Sequence, residues 1–191
     1  MVQKRLAELQ LQVAQLMRGD MPVAARADGA NVVTAGSTPV DRAIRLVLSE
    51  LRREVPYDSC SVQELRDGRL AIIGGVGFAD LDVVLGESFA IDSVDIPNGE
   101  VVHRRRPLIV PDTEQYRAFR RGLHVGDGIR SWLGVPLMHG EQLVGVLTLD
   151  NAEPDFYTSI HAQTALAFAA IVGYAMAFDD EDLSSSSLSR A

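Results

Sequence analysis

Four histidines, one cysteine and a short arginine run are the side chains of this 191-residue sequence from which chemistry would have to be built. His103, His124, His139 and His161 fall at no recognised ligand spacing, and neither HxxxH nor HExxH occurs. Cys60 is the only cysteine, so there is no internal disulfide, no CxxC metal site and no two-thiol redox couple. It lies inside an apolar-flanked strand with no base nearby in sequence to lower its pKa, and reads as a buried structural thiol. No GxSxG elbow is present, and Gly74-Gly75-Val76-Gly77 lacks both the GxGxxG pattern and a following helix start, so a phosphate cradle is not indicated. Arg104-Arg105-Arg106 invites an anion-binding reading, but arginines that close a helix complement its dipole, which is the plainer explanation. No nucleophile–base pair can be put together, and the chain is not expected to be an enzyme.

Composition narrows the class further. A net charge of −8 and a pI near 4.9 argue against nucleic-acid binding, which needs a basic face. The length suits one domain with extensions. The amino terminus lacks a signal-type apolar core, and Gln163 and Thr164 interrupt the one long apolar stretch, so export and a membrane span are not expected and the chain is placed in the cytoplasm.

The elements that must position any site follow from periodicity. Val2, Leu6, Leu9, Val13 and Leu16 form a heptad seam over residues 1–17, read as an amphipathic, coiled-coil-type helix, with packing on the chain's own domain as the alternative. Residues 18–37 are rich in Gly, Ala, Pro and Asp without period and read as a flexible linker. Thr38-Pro39-Val40-Asp41 starts a helix whose stripe is Val40, Ala43, Ile44, Val47, Leu48 and Leu51, stopped at Pro56. Ser59–Leu65 and Arg69–Gly75 form a hairpin about Asp67-Gly68. Phe89 and Ile91 alternate as in a short strand, Asn98–Arg104 suits a short helix, and Pro107–Val110 a strand. A last helix, uncharged from Ala162 to Phe178, is apolar nearly all round, and residues 179–191 read as a disordered acidic and Ser-rich tail.

Between them lies the stretch Ile129 to Asp150, two strands of roughly Ser131–Met138 and Gln142–Leu149 about a turn at His139-Gly140-Glu141. Leu133, Val135 and Leu137 share one face, with Trp132, Gly134 and Met138 on the other. In the second strand Leu143, Leu147 and Leu149 oppose Val144, Val146 and Thr148. Neither face is polar, so the hairpin must be covered on both sides.

Ile129-Arg130-Ser131-Trp132-Leu133-Gly134-Val135-Pro136-Leu137, followed by Gly145-Val146-Leu147-Thr148-Leu149-Asp150, resembles the central hairpin of the GAF domain family, small sensory domains of signalling proteins. Val55-Pro56-Tyr57-Asp58-Ser59 and Arg106-Pro107-Leu108-Ile109-Val110-Pro111-Asp112 fit the same pattern in the same order. The resemblance implies an α+β domain over residues 38–178, a central antiparallel sheet of about six strands with the terminal helices on one face and a small-molecule pocket on the other. It also implies a GAF-type sensor of an unidentified small molecule that acts through a separate signalling protein.

Known specialisations of that family are tested by residues. The cyclic-nucleotide signature needs a lysine in the domain, and Lys4 is the only one in the chain. GAF-type methionine-sulfoxide reductases need two thiols. Asp95-Ile96-Pro97 is similar to a phytochrome tripeptide but has no cysteine near it, and no histidine stands out as a haem ligand, so a haem or bilin sensor is the lesser reading and no cofactor is named. The resemblance places Phe89, Asp112, Tyr116, Phe119, Arg130, Trp132 and Thr148 around the pocket, with aromatic walls and Asp112 or Arg130 as polar anchor. The alternative is a structural dimerisation module with a filled pocket. A homodimer is expected, joined by the amino-terminal seam and by Ala165, Ala169, Ala170, Gly173 and Ala177 of the last helix.

Overall fold

A computed structural model describes residues 2–20, 32–78, 84–91, 96–117, 119 and 128–188, with side chains as far as Phe178. Along the chain these form α1 (Val2–Met17), β1 (Val33–Thr34), α2 (Pro39–Glu54), β2 (Ser59–Arg66), β3 (Arg69–Val76), β4 (Ser88–Ala90), α3 (Pro97–Arg104), β5 (Leu108–Val110), β6 (Ser131–His139), β7 (Gln142–Asn151) and α4 (Ser159–Leu188). All seven strands join one antiparallel sheet in the order β1-β3-β2-β7-β6-β5, with β4 beside β1 on the outer edge of β3.

Local chemistry sets the ends of the elements. Thr38 and Asp41 close a capping box on α2: the Asp41 carboxylate accepts from the Thr38 N–H at 2.8 Å, and Thr38 Oγ1 accepts from the Asp41 N–H at 3.2 Å. Asp67 and Gly68 take φ of 49° and 71°, the left-handed pair that a two-residue hairpin turn requires.

Alternation then divides the central strands between two cores. Cys60, Val62, Leu133, Val135, Leu137, Leu147 and Leu149 pack under α1, α2 and α4. Leu70, Trp132 and Val146 face the other way, beneath Val101 and Val102 of α3. The expected phase holds until a bulge between Leu137 and Met138, where Leu137 pairs with Gly145 but Met138 with Leu143. That extra residue reverses the phase of the strand, so Val144 joins the helix-side core and Leu143 the opposite one, the reverse of the sequence reading.

Three further expectations are corrected. The seam of α1 is not left open for a coiled-coil partner: Leu9, Val13 and Leu16 are buried against α2 and α4, each worth roughly 1.5–3 kcal/mol of burial. Arg5 ties the same helix to Glu54 at 2.7 Å and Glu50 at 3.4 Å. This extra helix explains why α4 is apolar on more than one face, since it lies between the sheet on one side and α1 and α2 on the other. The segment read as a linker contributes β1, which pairs Val33 with Gly75 and Thr34 with Gly74, and residues 21–31 lie outside the described residues. The last helix does not stop at Phe178 but continues to Leu188, because Asp and Ser discourage a helix without breaking it and no Gly or Pro follows Gly173.

Small residues on α4 are used against its own domain. Ala165, Ala169 and Ala177 are buried in the core, and a Cβ at Gly173 would strike the backbone of Met138 in β6. Gly173→Ala is therefore expected to destabilise the fold by about 1–3 kcal/mol in urea unfolding, although alanine is the better helix former.

Candidate functional site

The face of the sheet beneath α3 carries a row of buried polar side chains. β2 and β7 align Ser59 with Asp150 and Ser61 with Thr148, and Gln63 extends the row along β2. Ser59 Oγ donates to Asp150 Oδ2 at 2.5 Å, Ser61 and Thr148 share a hydrogen bond of 2.7 Å, and Gln63 Nε2 donates to Ser61 Oγ at 2.8 Å. Asn98 of α3 then donates to Gln63 Oε1 at 2.8 Å, which fastens the helix to the row. Ser59, Ser61, Gln63, Thr148 and Asp150 are all buried.

Beside the row stands an apolar wall. Trp132, the register partner of Asp150, folds its ring over Gly134, where any Cβ would collide with the indole. Phe119 meets that indole edge-on, with ring centroids 6.5 Å apart. Phe89 and Tyr116 join the same cluster half-buried, and the Tyr116 hydroxyl donates to Glu100 at 2.8 Å.

The structure thus brings Phe89, Tyr116, Phe119, Trp132 and Thr148 to one face. Asp112 and Arg130 are placed differently, because they engage each other in a two-pronged ion pair at 3.2 and 3.0 Å. The guanidinium holds the Asp112 carboxyl below its usual range and the carboxylate raises Arg130 in turn. With the Thr113 N–H donating to Arg130 O at 2.8 Å, and the Thr113 hydroxyl to Ile129 O at 2.6 Å, the pair fastens the two ends of the segment between β5 and β6. Sequence reasoning missed Ser59, Ser61, Gln63, Asn98 and Asp150. The signal was available in the alternation of Ser59, Ser61 and Gln63 with Cys60 and Val62, and of Thr148 and Asp150 with Leu147 and Leu149.

Asp150, the one carboxyl of the row, is shifted by its surroundings. Burial pushes it up to about 7, the Ser59 hydrogen bond pulls it partly back, and the neighbouring Asp58 raises it. Cys60, on the opposite face, is fully buried, and its thiol is raised well above the ordinary value, first by burial and then by Asp150. Of the histidines, His103 hydrogen-bonds Ile91 O, His139 lies against Tyr174 and His161 stacks on Phe156, while His124 and Asp95 lie outside the described residues. Among the described residues no group of three His, Cys, Asp or Glu gathers as a metal site. An open cavity of about 270 Å³ lies outside the row, bordered by Glu100, Arg104, Arg106, Pro107 and Leu108.

The family model for the GAF domain matches residues 39–176, most of the chain. The chain belongs to the GAF domain family. No curated protein matches it, but solved structures do. The GAF domain of a phosphoenolpyruvate-protein phosphotransferase from Coxiella burnetii is 16% identical, with a TM-score of 0.70 over 94% of this chain and 96% of that one. A segment of a methyl-accepting chemotaxis protein is 19% identical, TM-score 0.61, over 72% and 88%. A type II free methionine-R-sulfoxide reductase from Thermoplasma acidophilum is 16% identical, TM-score 0.56, over 66% and 84%. At these identities the likeness establishes the fold. The GAF domain family is one of regulatory and sensory domains of signalling proteins.

Two outcomes follow from the burial around Asp150 and Cys60. Folded Asp150 holds its proton up to about pH 7, whereas the unfolded carboxyl releases it near 3.8, so the folded state binds more protons and stability falls as pH rises through that window. Asp150→Asn is expected to gain roughly 2–4 kcal/mol at pH 8 and almost nothing at pH 4, read by urea unfolding at the two values. Cys60 in the native protein should resist a thiol reagent at neutral pH and react at once when urea unfolds the chain.

Proposed function

We propose that this GAF domain senses a small molecule on the sheet face beneath α3 and passes its occupancy to a separate signalling protein. The observation that carries the reading is the buried row of Ser59, Ser61, Gln63, Thr148 and Asp150. Burying polar groups forfeits their hydration, and a core serving packing alone would be more stable with aliphatic residues there. Its place beside Trp132 and Phe119 supplies the mix of a few directed polar groups with an aromatic wall that small-molecule sites use. In this reading Phe89, Tyr116, Phe119, Trp132 and Thr148 border the ligand, while Asp112 and Arg130 brace the segment ends. Methionine-sulfoxide reduction, the activity named for the Thermoplasma neighbour, is not assigned, since thiol–disulfide exchange needs two thiols and Cys60 is the only cysteine. A cytoplasmic location suits the single reduced thiol.

One observation favours a second reading, a dimerisation module whose pocket has filled: the Trp132 ring occupies the space over Gly134. Exposed Leu11 of α1 and Ile160 and Leu166 of α4 would then be the apolar surface left for a second copy.

Trp132 is the sole tryptophan, so its emission reports on this face directly. Mass spectrometry of the denatured protein is expected to release a small molecule in near-stoichiometric amount, and its return to stripped protein should shift Trp132 emission saturably. Protein that carries nothing, and whose emission ignores cell extract, would favour the filled module, which light scattering would then show as a dimer.

A further inference from the structure

We infer that the molecule bound on this face carries a protonated nitrogen, an organic ammonium or amidinium group with an apolar body, and that Asp150 is its counter-ion; this rests on the sensing reading above. Asp150 is buried at 5% exposure, and its one side-chain hydrogen bond among the described residues is the one that Ser59 donates to Oδ2. No lysine or arginine forms an ion pair with it among the described residues. Among the described residues, the ionisable groups that act on it or feel it are Asp58 before β2, Cys60 of β2 and Tyr157 before α4, and none can be a cation. A buried carboxyl without a cationic partner either stays protonated or waits for a charge brought from outside.

The neighbours of Asp150 select the same class. Its register partner is Trp132, whose indole leans over Gly134 on the same face, and an aromatic ring on that face attracts organic cations through its quadrupole. Phe119, edge-on to that indole, extends the apolar wall for the rest of the molecule. The hydroxyls of Ser61 and Thr148, next along the row, can accept the remaining N–H bonds. An anionic ligand would meet Asp150 and Asp58 with like charge, and a neutral one would leave the carboxylate uncompensated.

Phenethylamine, phenethyl alcohol and 3-phenylpropanoate share size and apolar body and differ in charge, and Trp132 emission at pH 8, where Asp150 is ionised, reads their binding. The amine is expected to bind at least tenfold more tightly than the alcohol, and the acid weakest. Asp150→Asn, whose fold is checked by a cooperative unfolding transition, should bring the amine down to the level of the alcohol. Wild-type protein at pH 5.5, with the carboxyl protonated, should lose the same preference without any substitution. An alcohol or acid that matches the amine, or an Asp150→Asn protein that keeps the preference, overturns the ammonium class while leaving a ligand site in place. Silence from all three probes also overturns it. The sensing reading then stands or falls separately on whether the native protein releases a bound compound, which this inference excludes from being an anion.

Discussion

The pairing of β2 with β7 along the middle of the sheet is the constraint on which both cores rest. With Cys60 opposite Leu149 and Val62 opposite Leu147, the apolar side chains of two strands point together at the helices, and Ser59, Ser61, Thr148 and Asp150 point together away from them. A slip of β7 by one residue would drive the Asp150 carboxyl and the Thr148 hydroxyl into the helix-side core and lift Leu147 and Leu149 out of it. Register is thus held by what each face can solvate. Close approach of the backbones secures it, because Gly145 lies where a Cβ would strike the Gln63 carbonyl.

The helix layer answers a different problem. One sheet face can hide only part of an apolar helix, and α4 is apolar on more faces than that. α2 covers one flank and α1, though separated from the rest of the domain by residues outside the described set, covers another. The buried leucines of α1 therefore complete a core that residues 39–176 alone would leave open along α4.

Much of this was legible because it is local. The Thr38–Asp41 cap, the Asp67-Gly68 turn and the phase of Trp132 against Leu133 each follow from a few neighbouring residues. What the sequence hid is what depends on partners distant in the chain. The seam of α1 is the same stripe whether a second copy or α2 covers it. Gly74 and Gly75 carry no side chain to read, yet they admit β1 alongside β3. Val144 and Leu143 exchanged faces because a bulge adds a residue that periodicity alone cannot see. At the site, the family resemblance pointed to Phe89, Tyr116, Phe119 and Trp132, whereas Ser59, Ser61 and Gln63 pass for a solvent-facing alternation until Asp150, Thr148 and Asn98 are seen to bond with them. Asp112 and Arg130 have the chemistry of ligand anchors, and only the fold reveals that each is the other's partner.

The sheet also ends in a way that limits how copies of this chain can meet. Its borders are β5 on one side and β1 with β4 on the other, strands of two or three residues. Where β6 runs on past β5 it carries Pro136, which has no N–H to offer. A second chain adding itself as a strand needs a long row of open donors and acceptors, and among the described residues neither border supplies one. Growth by strand addition is thereby discouraged from both directions, and association is left to side chains on helices and loops, where composition and charge can choose the partner.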